Sequence, residues 1–190
     1  MFIYYNPITT PSKMEDRIEQ IAKDKIANTA ALEKYGSLAI RRRLTRELES
    51  LYSVFLKIEI QLNELSNPKI TIYENVGAYI HRYDFIISEN YPFVKPEVFF
   101  QNQPYRKFLQ TMLHSNVGRK MFKTVTGLEC LCCHSVTCNS NWSPGLTLHK
   151  IIEEIHHYRR LKRNVLNKVF ADIIKRKYLI GDIDLDSWLF

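Results

Sequence analysis

Four short segments with strand character follow one another between residues 53 and 100, and no other feature narrows the available folds as much. They alternate polar and apolar residues and are rich in β-branched and aromatic side chains. The segments are residues 53–62, 69–73, 78–88 and 97–100. Asn67-Pro68 and Asn75–Gly77 place turn-forming residues between them. Consecutive strands joined by short turns pair antiparallel, so we expect a four-stranded antiparallel meander.

A helical pattern precedes the meander. Within residues 38–51, apolar residues recur every three or four positions and form one face of a helix. They are Ile40, Leu44, Leu48 and Leu51. Residues 12–34 are polar and helix-permissive, and Gly36 followed by Ser37 suits the end of one helix and the start of the next. We therefore predict an N-terminal helical extension over residues 1–36, followed by a helix that starts at Leu38.

After the meander we expect a short helix, a buried strand and a long helix. These segments are residues 104–114, 128–133 and 146–180. Ser143 is a natural N-cap for the long helix, Pro144 suits its first position and Gly181 ends it. The apolar end of the chain, Trp188-Leu189-Phe190, is expected to pack on the body. Helices on either side of an antiparallel meander predict the α+β class.

The composition is that of a folded domain. The chain has 190 residues, of which 45% are hydrophobic and 25% charged, close to the globular average. It contains no apolar run approaching the roughly 18 residues that span a bilayer. Its first residues also lack the charged and apolar regions of a signal peptide. We expect an intracellular protein of the cytoplasm or nucleus that binds no membrane.

All four cysteines fall within nine residues. They are Cys130, Cys132, Cys133 and Cys138. A disulfide scaffold distributes its cysteines along the chain to close long loops, so this clustering favours reduced thiols. Side chains alternate along a strand, so on the predicted strand Cys130 and Cys132 would share one side and Cys133 would face the other.

Four motifs in a fixed order carry a family resemblance over about residues 38–160. They are RLTRELESL at Arg43–Leu51, YPFVKPEVFF at Tyr91–Phe100, GLECL at Gly127–Leu131 and WSPGLTL at Trp142–Leu148. In this order they resemble the first helix, the Y-P-F-x-x-P-x-V-x-F segment, the G-x-x-C-L active-site segment and the W-S-P-x-L-T-[IL] segment of ubiquitin-conjugating enzymes. The resemblance implies the fold of that family: an N-terminal helix, a four-stranded antiparallel meander and a central helix. It predicts a core over residues 37–160, with residues 161–190 as a C-terminal helix and tail packed on it.

The resemblance also implies an activity centred on Cys130. This thiol would accept ubiquitin, or a ubiquitin-like protein, from an activating enzyme as a thioester and pass it to a lysine of a protein substrate. Cysteine suits this step because it is strongly nucleophilic even when little of it is ionised. A buried structural thiol is the alternative reading of the same residue. The family needs no cofactor, and we predict none and no metal.

Further roles follow from the resemblance alone. His114 and Asn116 correspond to the outer residues of the family's H-P-N tripeptide, whose Asn assists the transfer by stabilising the oxyanion. The cationic run Arg41, Arg42 and Arg43 would meet the activating enzyme. A ubiquitin ligase would dock on Phe93 together with Ser143 and Pro144, because Pro92 and Pro96 hold Phe93 in an extended, non-helical loop.

Two departures from the family pattern favour a second function. The tripeptide lacks its Pro and lies 16 residues before Cys130, a longer gap than usual. Cys132 stands where many members have Asp or Ser. A protein with these changes could be a catalytically weak or inactive member of the fold that acts as a ubiquitin-binding scaffold.

A third reading rests on the cysteines and on the charge. Cys132, Cys133, His134 and Cys138 are all zinc-ligand types, but two adjacent cysteines on a strand cannot easily both ligate. The 27 Lys and Arg against 20 Asp and Glu give a net charge of +7. The basic cluster at residues 156–163 fits a solvated helix face, so nucleic acid is not an expected partner.

Overall fold

The computed structural model describes residues 11–35, 37–62, 67–110 and 116–178, and it confirms the α+β class. The helices are α1 (Pro11–Glu33), α2 (Leu38–Tyr52), α3 (Tyr105–Gln110), α4 (Asn116–Thr126) and α5 (Leu148–Tyr178). The strands are β1 (Lys57–Leu62), β2 (Pro68–Val76), β3 (Tyr79–Ile86), β4 (Glu97–Phe100) and β5 (Gln103–Pro104). Over these ranges, no helix combines the length and the apolar character that crossing a bilayer requires.

The chain divides into two compact units. One contains the part of the chain before Tyr105 together with Ser143–Thr147, and the other contains Tyr105–Trp142 together with the part from Leu148 onward. The predicted boundaries after residues 36 and 160 stay predictions, and α5 passes through residue 160 without a break.

The first unit is built on the predicted meander, which the structure confirms and extends. All five strands pair antiparallel in the order β1-β2-β3-β4-β5. The turn between β2 and β3 consists of Gly77 and Ala78 alone, and Gly77 adopts φ +62, which a two-residue hairpin of this kind requires at its first position. Asn75 and Pro68 were expected in turns but belong to β2 instead.

The fifth strand was not predicted. Gln101 and Asn102 both adopt positive φ, of 51° and 60°, and form a tight reversal that folds the chain back onto β4. Positive φ at both central residues defines the turn that matches the twist of a hairpin, and Asn tolerates it well.

One face of the sheet supplies much of the core of this unit. Ile70, Ile72, Tyr83 and Phe85 are fully buried, because β2 and β3 direct alternate residues to the same side. The ring of Tyr83 stacks on Phe100 of β4 at 5.4 Å. The alternation read from the sequence therefore identifies the buried side correctly.

Helix α2 forms as predicted. Ser37 is its N-cap and accepts a hydrogen bond from the Ile40 N–H at 3.4 Å. The predicted apolar stripe of Ile40, Leu44, Leu48 and Leu51 is buried. Gly36, the expected C-cap of the preceding helix, lies outside the described residues.

The side-chain amide of Asn28 connects helix α1 to the open edge of β1. The Asn28 Nδ2 donates to the carbonyl of Ile58 at 2.8 Å, and its Oδ1 accepts from the N–H of Ile60 at 2.9 Å. Asn28 also donates to the hydroxyl of Tyr52 at 2.8 Å. These bonds satisfy edge groups that an exposed strand would leave open to another chain.

The second unit departs most from the sequence-based expectations. The strand expected over residues 128–133 does not form, and a 3-10 turn covers Cys132–His134 instead. Helix α4 was not predicted, although Gly127 at φ +73 ends it in the way that glycine commonly ends helices. The short helix expected over 104–114 is present as α3.

Helix α5 starts two residues later than predicted. Ser143 and Pro144 lie in a turn before it, where the Leu146 N–H donates to the Ser143 carbonyl at 3.0 Å, so neither residue is the N-cap or first residue of the helix. Along the helix Val165 is buried, whereas Ile173 is 52% exposed. Gly181 and the apolar tail at residues 188–190 lie outside the described residues.

Candidate functional site

The sulfur atoms of Cys130, Cys132 and Cys133 converge on one point of the second unit. The Cys132 thiol donates to the Cys130 Sγ at 3.4 Å, and the Cys132 and Cys133 Sγ atoms are 3.9 Å apart. All three sulfurs lie within 4.8 Å of one another. The expected placement of Cys133 on the side opposite Cys130 is therefore wrong.

The turn explains this convergence. Leu131 has helical dihedral angles and is fully buried, so it anchors the turn while the chain reverses around it. The N–H groups of His134 and Ser135 donate back to the carbonyls of Leu131 and Cys132, at 3.1 and 3.4 Å. In a turn of this tightness, residues three apart lie on the same side, which brings Cys133 beside Cys130.

Hydrogen bonds separate the acidities of Cys130 and Cys133. The thiol and then the backbone N–H of Cys133 donate to the Cys130 sulfur, and these bonds, with weaker ones from Cys132, lower the pKa of Cys130. The converse holds for Cys133, whose pKa rises to about 12 because its thiol proton is held by Cys130 and Cys132. Cys130 therefore ionises more readily than Cys133, and it is partly accessible to solvent.

Two side chains fix the loop that follows the thiols. The Asn141 Nδ2 donates to the carbonyls of Cys133 and Ser135, at 2.9 and 3.0 Å. Glu154 of α5 accepts from the Ser135 hydroxyl at 2.7 Å and from the Val136 N–H at 2.6 Å. Neither residue was predicted from the sequence, because both act on the site through hydrogen bonds to the loop and resemble ordinary loop and helix residues.

Two tyrosines complete the surroundings of Glu154. The Tyr105 hydroxyl donates to Glu154 at 2.8 Å, and burial together with the carboxylate raises the pKa of Tyr105 far above its usual value. Burial, Glu154 and Cys130 raise the pKa of Tyr158 to about 12. Both phenols therefore stay protonated at neutral pH. Tyr158 and Glu154 line an open groove of about 440 Å³, which also includes Leu128 and His134, the residues that flank the thiols in sequence.

Two of the four metal ligands considered from the sequence, Cys132 and Cys133, converge, but they do so with Cys130 rather than with His134 and Cys138. Among the described residues, the group with metal-ligand spacing is Cys130, Cys132 and Cys133. The Cys138 thiol instead lies 3.3 Å from the Ser140 hydroxyl. All four cysteines are free thiols.

The residues expected to bind a ligase are exposed on the first unit. Phe93 is 78% exposed, although Tyr91 two residues earlier is buried. Residues 89–93 form turns rather than the extended loop that we expected, with the Val94 N–H donating to the Asn90 carbonyl at 3.0 Å. Ser143 and Pro144 are also exposed.

The three arginines of α2 have different surroundings. Arg43 donates to the buried carboxylate of Glu47 and to the carbonyl of Leu146 at 2.8 Å, and the Tyr91 hydroxyl donates to the same carboxylate at 2.6 Å. Arg41 donates to the carbonyl of Glu33 at 3.2 Å. Arg42 is exposed. Arg43 thus holds the fold together, and Arg42 is the member of the run that is open to a partner.

The expected oxyanion residues are only partly described. Asn116 is the first residue of α4, and His114 lies outside the described residues. Their assistance in transfer stays a prediction.

No protein-family model, curated protein or solved structure matches this chain. The fold class and the geometry of the site are therefore described from the chain itself, and the family resemblance rests on the four motifs.

Proposed function

We propose that this protein is a ubiquitin-conjugating enzyme with the fold of that family. The observation that carries the proposal is the state of Cys130: its sulfur is partly exposed, and it accepts hydrogen bonds from the thiol and backbone N–H groups of Cys132 and Cys133. A cysteine with these donors is poised as a thiolate nucleophile. The order of the four motifs around it supports the choice of this family.

The reaction has two acyl transfers. The Cys130 thiolate attacks the thioester carbonyl that joins the modifier to the activating enzyme, and the thiolate of that enzyme leaves. The amine of a substrate lysine then attacks the new thioester, and the Cys130 thiolate leaves as the amide forms and the amine loses a proton. The donors that lower the pKa of Cys130 stabilise the thiolate as nucleophile in the first step and as leaving group in the second.

Further partner sites complete the proposal. Arg42, exposed on α2, would contact the activating enzyme, and the exposed Phe93, Ser143 and Pro144 would contact a ligase. Large exposed aromatic residues on a rigid turn are common anchors of protein interfaces. Asn116 would assist the transfer to lysine.

The proposal is tested by a charging assay, which detects the thioester formed between the modifier and Cys130. The full chain is incubated with activating enzyme, ATP and labelled ubiquitin, and we expect an adduct that reductant removes. Cys130→Ala should abolish this adduct, whereas Cys138→Ala, in the same loop but outside the cluster, should keep it. Absence of an adduct with ubiquitin and with the ubiquitin-like modifiers, each with its own activating enzyme, would refute the enzyme function.

The second candidate is a non-catalytic ubiquitin-binding scaffold. It is favoured by the thiols of Cys132 and Cys133, which occupy the surroundings of the Cys130 sulfur where many family members offer a carboxylate or hydroxyl. Binding of ubiquitin that is equal in wild type and in Cys130→Ala, together with no charging, would establish this role.

A further inference from the structure

The three converging sulfurs have the arrangement of a metal-binding site, and neither the enzyme function nor the scaffold function uses a metal. We propose that Cys130, Cys132 and Cys133 form a three-thiolate binding site for Zn²⁺. This site goes beyond the proposed enzyme function, because it follows from the sulfur positions whether or not Cys130 is ever charged.

The distances between the sulfurs match those around a tetrahedral ion. With Zn–S bonds of about 2.3 Å, two sulfur ligands of one zinc ion lie about 3.8 Å apart. The Cys130–Cys132 and Cys132–Cys133 separations are 3.4 and 3.9 Å, and the third pair lies within 4.8 Å. Shifts of a few tenths of an ångström at the first two pairs, and of at most about 1 Å at the third, therefore complete the ligand geometry.

The backbone of the turn supports thiolates at this point. The N–H groups of Cys132 and Cys133 donate to the Cys130 sulfur, and such bonds to a ligand sulfur orient it and stabilise its charge. The carbonyl of Cys133 is itself held by Asn141 at 2.9 Å. The loop is thus held in the conformation that brings the sulfurs together.

The site is open on one side. Cys133 is exposed, and among the described residues no fourth His, Cys, Asp or Glu ligand atom joins the three sulfurs within 4.8 Å of each. Three protein ligands with a fourth position left to water or an external ligand are typical of zinc sites that exchange ligands. Binding replaces the thiol protons of the three cysteines, which pass to the buffer, so no oxidant takes part.

A competition titration tests the site directly. The reduced full chain, freed of metal and kept under argon, is titrated with Zn²⁺ against a chromophoric chelator. We expect one equivalent to bind, and Cys132→Ser and Cys133→Ser to weaken binding by about 100-fold or more, beyond the 10–100-fold that loss of an outer partner causes. Cys138→Ser is the matched control and should bind as tightly as wild type. Circular dichroism checks that each variant is folded.

Substitution by Co²⁺ identifies the ligands. Wild type should show an intense near-ultraviolet thiolate-to-cobalt band, and its intensity should fall by about one third in each single variant, since one of three thiolates is lost. No stoichiometric Zn²⁺ binding, or an equal loss of affinity in Cys138→Ser, would overturn the proposal.

The same variants separate this site from the proposed enzyme function. Zinc affinity is measured without activating enzyme. The protein can therefore bind zinc even if it is never charged, and it can be charged even if it binds no zinc. If both hold, one equivalent of Zn²⁺ should slow charging of wild type because it occupies the nucleophile. Zinc should slow Cys133→Ser much less than wild type when each protein is compared with its own zinc-free rate, which excludes an effect on the activating enzyme. Equal slowing of both would show that zinc acts elsewhere.

Discussion

Cys130 differs from Cys133 in the hydrogen bonds that its sulfur accepts. It accepts hydrogen bonds that Cys133 and Cys132 donate, so its pKa falls below the ordinary cysteine value. We expect its alkylation rate by iodoacetamide to rise with pH and to reach half of its maximum at a lower pH than that of an unstructured cysteine peptide, because only the thiolate reacts. Cys133, with a pKa of about 12, should react only at much higher pH. Mass spectrometry of chelator-treated protein assigns the alkylated residue at each pH.

A variant isolates the cause of this acidity. Cys133→Ala removes the largest donor to the Cys130 sulfur and should raise the pH at which Cys130 is alkylated at half of its maximal rate. Cys138→Ala should leave this pH unchanged. If Cys130 of wild type reached its half-maximal rate at the same pH as an unstructured cysteine peptide, or at a higher one, the lowered pKa of Cys130 would be contradicted.

The sequence supports the choice of Cys130 but not its surroundings. The motif around it singles out one of four cysteines, whereas the positions of the other sulfurs depend on whether residues 128–133 form a strand or a turn. A short apolar run does not distinguish these conformations. The expectation of a strand separated Cys133 from Cys130 and counted against metal binding. The turn around the buried Leu131 reverses the first conclusion and removes the argument from strand geometry against metal binding.

At the scale of elements, α5 holds the loop of the site through Glu154. The carboxylate accepts from Tyr105, Ser135 and the backbone of Val136. Glu154→Gln leaves a weaker acceptor and turns an amide donor toward groups that are themselves donors. We expect a loss of about 2 kcal/mol in the free energy of unfolding, measured by urea denaturation, together with slower charging.

The adjacent residue provides the control for this substitution. Glu153 is exposed and pairs with Lys150 at 2.7 Å on the surface of the same helix. Glu153→Gln should change the free energy of unfolding by no more than about 0.5 kcal/mol and leave charging intact. Equal effects of the two substitutions would show that the charge of the helix, rather than the hydrogen bonds to the loop, determines the stability and the rate of charging.

Neighbouring arginines of α2 should separate stability from partner binding. Arg43→Ala removes the cation beside the buried Glu47 carboxylate and should cost about 3 kcal/mol in the free energy of unfolding. Arg42→Ala should leave the stability within about 0.5 kcal/mol of wild type, since the side chain is exposed. We expect Arg42→Ala to raise the concentration of activating enzyme needed for half-maximal charging. Unchanged charging by Arg42→Ala would remove Arg42 from the proposed interface.

The sequence predicts elements well where their pattern is local and regular. The stripe of α2 and the alternation of β2 and β3 each repeat over several residues, so their buried faces follow directly. Helix α4 was missed because it has only 11 residues and begins at Asn116, in a Ser-Asn pair that also suits a turn. Strand β5 depends on positive φ at two non-glycine residues, which no periodicity reveals.

At the scale of the whole molecule, the net charge of +7 lies on the second unit, which has 14 basic and 7 acidic residues, whereas the first unit has 13 of each. Several cations already pair with carboxylates on the described surface; they are Lys23, Arg43, Lys57, Lys69, Arg82, Lys123 and Lys150. The paired cations contribute little field beyond their immediate surroundings, because each carboxylate offsets its partner. The exposed basic residues that remain on α5 include Arg160, Arg163 and Lys168.

This distribution predicts that nucleic acid is bound only non-specifically. We expect dissociation constants for labelled duplex and single-stranded DNA no tighter than about 1 µM at physiological salt, the lower end of the non-specific range. Fluorescence anisotropy at increasing salt measures both the affinity and its salt dependence. Nanomolar binding that Arg160→Glu with Arg163→Glu abolishes would contradict the prediction, because α5 would then present a nucleic-acid surface rather than a solvated basic face.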